Sequence, residues 1–250
     1  MKGNSFAGRL RELPHLLATV DDVSSESNGI SPVYNLKRFL ELLTAEIQRR
    51  KIIFREYDVD RLDYYIEVQN KITSLLNNYG DVAESGLSSI QQDRFYELQK
   101  SGEFPPVLGH LVLVVDEFTE LKRFSSENDT DYIGELTSIA RVGRTLGLHM
   151  ILVSQNIENA ITDDIRINTR SRICLKVATR SASKEMLDGR TDAFYSDMPR
   201  GRAYFLVGSG TKYEYFQSGY ASENLEKIEE SKTEITMFNT SGNHTTFYDS

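Results

Sequence analysis

Several features are scarce or absent in this chain of 250 residues, and each absence narrows its possible functions. The only cysteine, Cys174, lies inside an apolar run, which favours a reduced, buried thiol in a cytoplasmic protein over a nucleophile or metal ligand. The four histidines lack the spacing of a metal site. No apolar run approaches the roughly 18 residues that cross a membrane. We therefore expect a soluble chain with no transmembrane segment.

An excess of basic residues is also absent. The chain has 29 Lys and Arg against 37 Asp and Glu, which gives a net charge of −8. A free-standing nucleic-acid-binding protein is usually basic, so this balance disfavours autonomous DNA binding. The length suffices for one large domain or two small ones.

A phosphate-binding P-loop is the third absence. That loop has the pattern G-x-x-x-x-G-K-[ST], whose backbone amides and lysine bind phosphates and whose hydroxyl holds Mg²⁺. The sequence contains no Gly-Lys dipeptide, and Gly208-Ser-Gly-Thr-Lys212 has the composition but not the order. We expect that the acids described next cannot by themselves hold ATP at a useful affinity.

The most informative stretch is an aliphatic run that ends in two acids, Leu111-Val-Leu-Val-Val-Asp116-Glu117. It predicts a strand buried on both faces, as in a parallel sheet. Ligands of open α/β sheets bind at the carboxyl ends of strands. The pattern is therefore typical of Walker B, in which Asp116 orients Mg²⁺ through its water shell and Glu117 polarises the attacking water. The alternative is a buried strand followed by an acidic helix cap.

A second buried strand, His149 to Gln155, follows a helix predicted over residues 132–146. Two successive strands joined by a helix form a right-handed unit with parallel strands. That geometry places Gln155 at the same sheet edge as Asp116 and Glu117. Gln155 could sense the γ-phosphate or orient the water, and the alternative is an amide that caps a loop.

The remaining pattern is also that of an α/β fold. Further helices are predicted over residues 34–57, 60–79, 88–99, 118–124 and 181–187, the last capped by Ser181, and a short helix or turn is predicted over residues 161–169. Further strands are predicted over residues 16–20, 170–177, 202–207 and 212–217, and the last two form a hairpin. Residues 125–131 are predicted to be a loop. Glu46, Arg49 and Arg50 are interpreted as a solvated helix face, with Glu46 and Arg50 as i,i+4 partners.

Ordered blocks of the chain resemble the FtsK/SpoIIIE ATPases. They are Lys2-Gly3, Leu13-Pro14-His15-Leu16, Glu46-Ile-Gln-Arg49-Arg50, Leu113-Val-Val-Asp116-Glu117-Phe118-Thr-Glu-Leu121, Ala140-Arg-Val-Gly-Arg144-Thr-Leu-Gly147-Leu-His149, Ser154-Gln155, Asn168-Thr-Arg170 and Gly201-Arg202-Ala203-Tyr204. With the closing Tyr213-Glu-Tyr-Phe-Gln-Ser218, these blocks are most similar to the EssC/EccC/YukB branch, the ATPases of type VII protein secretion.

The resemblance implies a RecA-like (ASCE) P-loop NTPase sheet, mostly parallel, with a C-terminal β-hairpin. In that family the Walker A segment precedes these blocks, so we expect a chain that is truncated before residue 1 and a sheet that lacks the P-loop strand. Residues 1–222 would be a partial ATPase domain containing the Walker B half. Residues 223–250 would be a polar, flexible tail.

The resemblance also implies roles for individual residues. Asp116 is similar to the acid that holds Mg²⁺ through water, Glu117 to the catalytic base and Gln155 to the γ-phosphate sensor. The candidates for reaching a neighbouring subunit's nucleotide are Arg141, Arg144, Arg170 and Arg172. For Arg144 the alternative is a cation at a helix C-terminus. We interpret His149 and Cys174 as structural.

The function implied is that of an ATPase module of a type VII secretion motor, which uses ATP and Mg²⁺ in the complete domain to export proteins. This chain alone is expected to be inactive. Its partners would be sister ATPase modules in a ring or stack and secreted proteins, at the cytoplasmic face of the membrane. Contact with the membrane would come through upstream parts or partners.

The alternatives are a fragment of an FtsK-like DNA translocase, which the net charge of −8 disfavours, and a non-catalytic module that binds substrates or partners.

Overall fold

The structure is a computed structural model that describes residues 14–20, 32–78, 81–157, 161–195, 197–219, 234–238 and 244–248. The chain divides into two compact units, Met1–Ser171 and Arg172–Ser250. The block Lys2-Gly3 lies outside the described residues, as does most of the predicted tail.

The first unit begins with helices α1 (Pro32–Glu56), α2 (Leu62–Asn78) and α3 (Ser89–Ser101), close to the predicted bounds. Helix α3 starts with a capping box in which Ser88 and Gln91 exchange side-chain-to-backbone hydrogen bonds, and it ends at Gly102. The three helices share a hydrophobic core whose most buried members are Tyr57, Leu62, Tyr65, Ile72, Phe95 and Leu98.

Arg50 on α1 corrects the interpretation of its segment as a solvated face. Its side chain is only 4% exposed. One guanidinium nitrogen, Nη1, donates to the carbonyl oxygen of Leu146 at 2.6 Å, and Nε donates to Glu46 at 2.8 Å. Arg49, in contrast, is exposed. The helical period predicted the Glu46–Arg50 pair, but the carbonyl acceptor lies 96 residues further along the chain.

Next come β1 (Leu111–Val115), α4 (Phe118–Asn128), α5 (Tyr132–Gly143) and β2 (Leu148–Leu152), followed by the short helix α6 (Asp163–Asn168). Strands β1 and β2 are parallel, with Leu111 opposite Leu148 and Val115 opposite Leu152. The predicted pair of parallel strands joined by a helix is therefore confirmed.

The prediction that β1 and β2 are buried on both faces is wrong. One face, which includes Leu113, Val115 and Met150, packs against side chains of α1 and α5. On the other face Val112 is 58% exposed and Ile151 is 51% exposed. The reason is that the described helices of this unit cover one side of the pair, so burial alternates along each strand.

Other boundaries differ from the prediction for local reasons. Residues 16–20 form no strand, and Leu17 is 80% exposed, without a neighbouring strand among the described residues. Helix α4 continues to Asn128 through part of the predicted loop, since residues 125–128 complete its last turn. In the second unit the cap of the helix is Thr179, whose hydroxyl accepts from the Ala182 amide.

The second unit contains strands β3 (Ser171–Leu175), β4 (Arg202–Val207) and β5 (Lys212–Gln217), hydrogen-bonded in that order. Helix α7 (Arg180–Met186) and a short 3₁₀ helix (Asp192–Phe194) separate β3 from β4. The antiparallel hairpin of β4 and β5 is confirmed. The predicted burial of Cys174 is also confirmed, and this burial raises the pKa of its thiol to about 11.

Strands β6 (Glu234–Phe238) and β7 (His244–Tyr248) form a further antiparallel pair within the region predicted to be a tail. The predicted domain division at residue 222 stays a prediction. The α/β class is confirmed, with a parallel pair and an antiparallel hairpin. None of the described helices is both long and apolar enough to cross a membrane.

Candidate active site at the carboxyl ends of strands β1 and β2

Polar side chains follow both parallel strands of the first unit where each strand ends. Asp116 and Glu117 come directly after β1, while Ser154 and Gln155 come shortly after β2. Backbone hydrogen bonds continue beyond the strands, since the amide of Val153 donates to Val115 and the amide of Phe118 donates to Val153, both at 2.9 Å. The predicted meeting of Glu117 and Gln155 at one sheet edge is confirmed.

Glu117 has an unusual backbone conformation for its position. It is the residue before α4, and its φ of 52° and ψ of 56° lie in the left-handed region. Non-glycine residues adopt this region uncommonly, and such residues occur often at functional sites. The Glu117 side chain makes no cap hydrogen bond to α4. The alternative of an acidic helix cap is therefore not realised at Glu117.

The Glu117 carboxylate instead accepts hydrogen bonds from three groups, which we call the Glu117 cluster together with Glu117 itself. Its Oε1 atom accepts from the Thr119 hydroxyl at 2.5 Å and from the Ser154 hydroxyl at 2.6 Å. Its Oε2 atom accepts from the backbone amide of Gln155 at 3.2 Å. The cluster therefore joins the ends of both strands through one carboxylate.

The hydrogen bonds of the cluster favour the ionised form of Glu117, but the donors carry no positive charge that would offset its negative charge. Burial is the largest single influence and raises the pKa, but hydrogen bonds from Ser154, Thr119 and the Gln155 amide outweigh it and hold the pKa below 4.5. These donors are hydroxyls and a backbone amide, so none of them brings a positive charge. A carboxylate in this state can accept a hydrogen bond from a water molecule.

Asp116 differs from its neighbour. Its side chain is half-buried, and no hydrogen bond or ion pair from the described residues occupies its carboxylate. Among the described residues, no three or more His, Cys, Asp or Glu side chains converge on a metal site. Mg²⁺ commonly keeps several waters and binds one or two carboxylates together with substrate phosphates. The free carboxylate of Asp116 fits such a site, in which a nucleotide supplies the other ligands.

The remaining predicted site residues are not gathered around Glu117. The Gln155 side chain is exposed, and its backbone makes the contact with Glu117. Arg141 and Arg144 lie at the C-terminal end of α5, near the start of β2 and hence at the opposite end of the strand pair from Glu117. Arg144 is the residue that follows α5, and its guanidinium donates to the Asn168 carbonyl at 3.5 Å.

The other two arginines differ in what surrounds them. Arg170 is exposed. Arg172 is engaged within the second unit, where it forms an ion pair of 2.8 Å with Asp188 and donates to the Met186 carbonyl at 3.2 Å. The roles assigned to the four arginines and to Gln155 stay predictions.

Two members of the cluster, Thr119 and Ser154, had no role in the sequence analysis. Both lie in segments whose match to the family was recognised, Thr119 two residues after Glu117 and Ser154 immediately before Gln155. The available signal was a hydroxyl residue close to a predicted site residue in each segment. Which acceptor each hydroxyl faces depends on the pairing of β1 with β2, which the local sequence does not specify.

Comparison with known proteins gives a consistent family assignment. The sequence profile of the FtsK/SpoIIIE family matches residues 7–159. The chain is 32% identical to the ESX secretion system protein EccC of Geobacillus thermodenitrificans, over 92% of this chain and 13% of that protein. It is 30% identical to the ESX secretion system protein YukB of Bacillus subtilis, over 96% of this chain and 13% of that protein.

The fold is also similar to that of a solved structure, the cytoplasmic domain of the type VII secretion ATPase EccC of Thermomonospora curvata. The TM-score is 0.61 at 23% identity, covering 90% of this chain and 21% of that chain. The chain thus spans about 13% of the length of the curated relatives it matches. The resemblance predicted from the ordered blocks is confirmed.

Proposed function

The chain belongs to the FtsK/SpoIIIE family, and we propose that it forms part of an ATPase module in which Glu117 activates the water that hydrolyses ATP. The single observation that carries this proposal is the Glu117 cluster. It holds an ionised carboxylate at the sheet edge where ligands bind in open α/β folds. Beside it, Asp116 offers a carboxylate with no partner among the described residues.

The chemistry follows from these two carboxylates. Glu117 accepts a proton from water as the water oxygen bonds to the γ-phosphorus and the bond from that phosphorus to the ADP oxygen breaks. Asp116 would hold Mg²⁺ through a water ligand. When bound, Mg²⁺ supplies positive charge at the phosphates. Gln155 is the residue that we assign to contact the γ-phosphate, since its backbone already meets Glu117.

The wider assignment is a motor of type VII protein secretion that couples ATP hydrolysis to protein export. Its support is the description of the relatives as ESX and type VII secretion proteins. Its partners would be sister ATPase modules and secreted proteins, at the cytoplasmic face of the membrane. Arg141, Arg144 and Arg170 are exposed, as a residue that reaches a neighbouring module's nucleotide must be. Arg172 is the weakest candidate because Asp188 already binds it.

Two other functions remain distinct from this one. The DNA-translocase function is disfavoured by the net charge of −8, because DNA binding depends on basic residues that contact phosphates. A non-catalytic module that binds secretion substrates or a partner ATPase would keep the fold without hydrolysis. It is favoured by the absence of a G-x-x-x-x-G-K-[ST] segment from these residues.

The test is nucleotide binding and ATP turnover by this chain and by the protein as its gene encodes it. Each is compared with Glu117→Gln and with Glu135→Gln, a control at an exposed position of α5. We expect turnover in the protein as its gene encodes it, a loss of at least about 100-fold in Glu117→Gln and no change in the control. If the protein as its gene encodes it and both of its variants bind nucleotide without turnover, or bind none, the result would instead support the non-catalytic module.

A further inference from the structure

We propose that Ser154 is a positioning residue that couples the loop after β2 to Glu117 by donating its single hydroxyl proton to one of two acceptors. The inference rests on the proposed function, in which Glu117 is the base. It concerns how that base is oriented, and it assigns to the loop containing Gln155 a means of changing that orientation.

The first step is the competition for one proton. The Ser154 hydroxyl lies 2.6 Å from Glu117 Oε1 and 2.9 Å from the carbonyl oxygen of Asn156. Both distances and both geometries suit a hydrogen bond. A serine hydroxyl has one proton to donate, so it can serve only one of these acceptors at a time. The Ser154 oxygen also lies 3.3 Å from the Thr119 hydroxyl oxygen, which is a longer contact than either of these. The two shorter contacts therefore define two states of the same side chain.

The second step is which state this structure favours. Hydrogen bonds to an ionised acceptor are shorter and stronger than those to a neutral carbonyl. The contact with Glu117 is the shorter of the two, so Ser154 donates to the carboxylate here. The Asn156 amide, at 3.3 Å, donates to the Ser154 oxygen and keeps that hydroxyl close to the loop.

The third step is what this state does to Glu117. With Thr119 and Ser154 both donating to Oε1, the two lone pairs of that oxygen are filled. Among the described residues, Oε2 accepts only from the Gln155 amide, at 3.2 Å, and so retains one lone pair for water. The hydroxyls therefore orient the carboxylate so that Oε2 is the atom that acts on water.

The fourth step links the orientation to the loop. When Ser154 turns to the Asn156 carbonyl, Oε1 keeps only the Thr119 hydroxyl. The hydrogen bond from Gln155 to Oε2 belongs to the same loop, so a displacement of that loop changes contacts on both oxygens of Glu117. The residue assigned to the γ-phosphate and the base that activates the attacking water are thus coupled through Ser154.

The kinetic test compares Ser154→Ala with Ser154→Thr, which restores a hydroxyl, and with Ser138→Ala, an exposed control on α5. In the protein as its gene encodes it, we expect Ser154→Ala to lower kcat about tenfold while KM for ATP changes less than about twofold. Ser154→Thr should recover most of kcat. An unchanged kcat in Ser154→Ala would overturn the proposal.

A second measurement does not depend on turnover. The ¹³C resonance of the labelled Glu117 carboxyl, assigned by its loss in Glu117→Gln, is recorded at one fixed neutral pH. Ser154→Ala and Thr119→Val should each shift this resonance because each removes a hydrogen-bond donor from Oε1, whereas Ser138→Ala should not. A shifted resonance in a protein that never hydrolyses ATP would retain the coupling and refute the proposed function. An unchanged resonance in both variants would overturn the coupling whether or not ATP is hydrolysed.

Discussion

Two carboxylates of the first unit are held in hydrogen-bond networks that differ in the charge of the donors. Glu46 belongs to what we call the Arg50 cluster, formed by Glu46, Arg49, Arg50 and the carbonyl of Leu146. Its oxygens accept from two guanidinium groups, at 2.7 Å and 2.8 Å. Among the described residues, Glu117 accepts only from hydroxyls and a backbone amide.

Both networks lower the pKa of their carboxylate, but they leave different net charges. The pKa of Glu46 is lowered first by the hydrogen bond from Arg49 and then by that from Arg50, against the effect of burial. The two guanidinium charges more than offset the single negative charge of Glu46. Among the described residues no cation donates a hydrogen bond to Glu117, so these donors leave its negative charge in place. The Arg50 cluster therefore joins charged groups that stabilise the fold, while the Glu117 cluster holds an ionised carboxylate without a positively charged donor.

The largest effect should come from breaking the Arg50 cluster. Arg50→Ala leaves the Leu146 carbonyl without its donor and Glu46 without its buried partner, which we expect to cost about 3 kcal/mol of unfolding free energy. Denaturant unfolding at neutral pH measures this cost. The matched control is Arg49→Ala, whose side chain is 51% exposed and should cost less than about 1 kcal/mol. Equal losses in both variants would refute the structural role of Arg50.

A smaller loss of stability should follow from adding a side chain at Gly147, whose backbone lies against the Arg50 cluster. Gly147 has a φ of 80°, and an added Cβ would collide with the Leu62 side chain and lie 3.2 Å from Arg50 Nη1. Because both the backbone strain and the collision oppose a side chain, Gly147→Ala should cost about 2 kcal/mol in denaturant unfolding.

The control for this substitution is Gly109→Ala, where a Cβ would meet nothing within 4 Å. This variant should change the unfolding free energy by less than about 0.5 kcal/mol. If Gly147→Ala were as stable as Gly109→Ala, the packing of Gly147 against Leu62 and Arg50 would be wrong.

The smallest expected effect on stability concerns the charge of Glu46, and its dependence on pH makes it a sharp test of the comparison. Because folding lowers the pKa of Glu46 from 4.5, its contribution is present above that pH and is lost as the pH falls through the folded-state pKa. Glu46→Gln should therefore cost about 1 kcal/mol at pH 7, and the difference from the unsubstituted chain should shrink toward pH 3. Unfolding free energies at both pH values measure it. A difference that stayed constant would show that the charge of Glu46 contributes nothing.

Much of this arrangement follows from local sequence patterns. Helical periodicity predicted α1 to α3, and the aliphatic runs predicted β1, β2 and the polar residues that follow them. These features depend on residues close together in sequence. The exposure of Val112 and Ile151 was not predictable in this way, because a strand's own pattern does not say which of its faces other elements cover.

Side-chain partners from distant segments escaped the sequence analysis for the same reason. The Arg50 guanidinium finds its carbonyl acceptor 96 residues away, and the Ser154 hydroxyl finds Glu117 at a separation of 37 residues. The pattern located Glu117, but only the pairing of β1 with β2 identifies the hydroxyls that donate to its carboxylate.

The most direct test of the central claim is the identity of the nucleotide that remains bound after a single round of ATP addition. The protein as its gene encodes it and its Glu117→Gln variant are each mixed with less than one equivalent of ATP and Mg²⁺. The bound nucleotide is then released by acid and separated by chromatography. If Glu117 is the base, the unsubstituted protein contains ADP while Glu117→Gln still contains ATP. Conversion to ADP at the same rate in both would contradict the account.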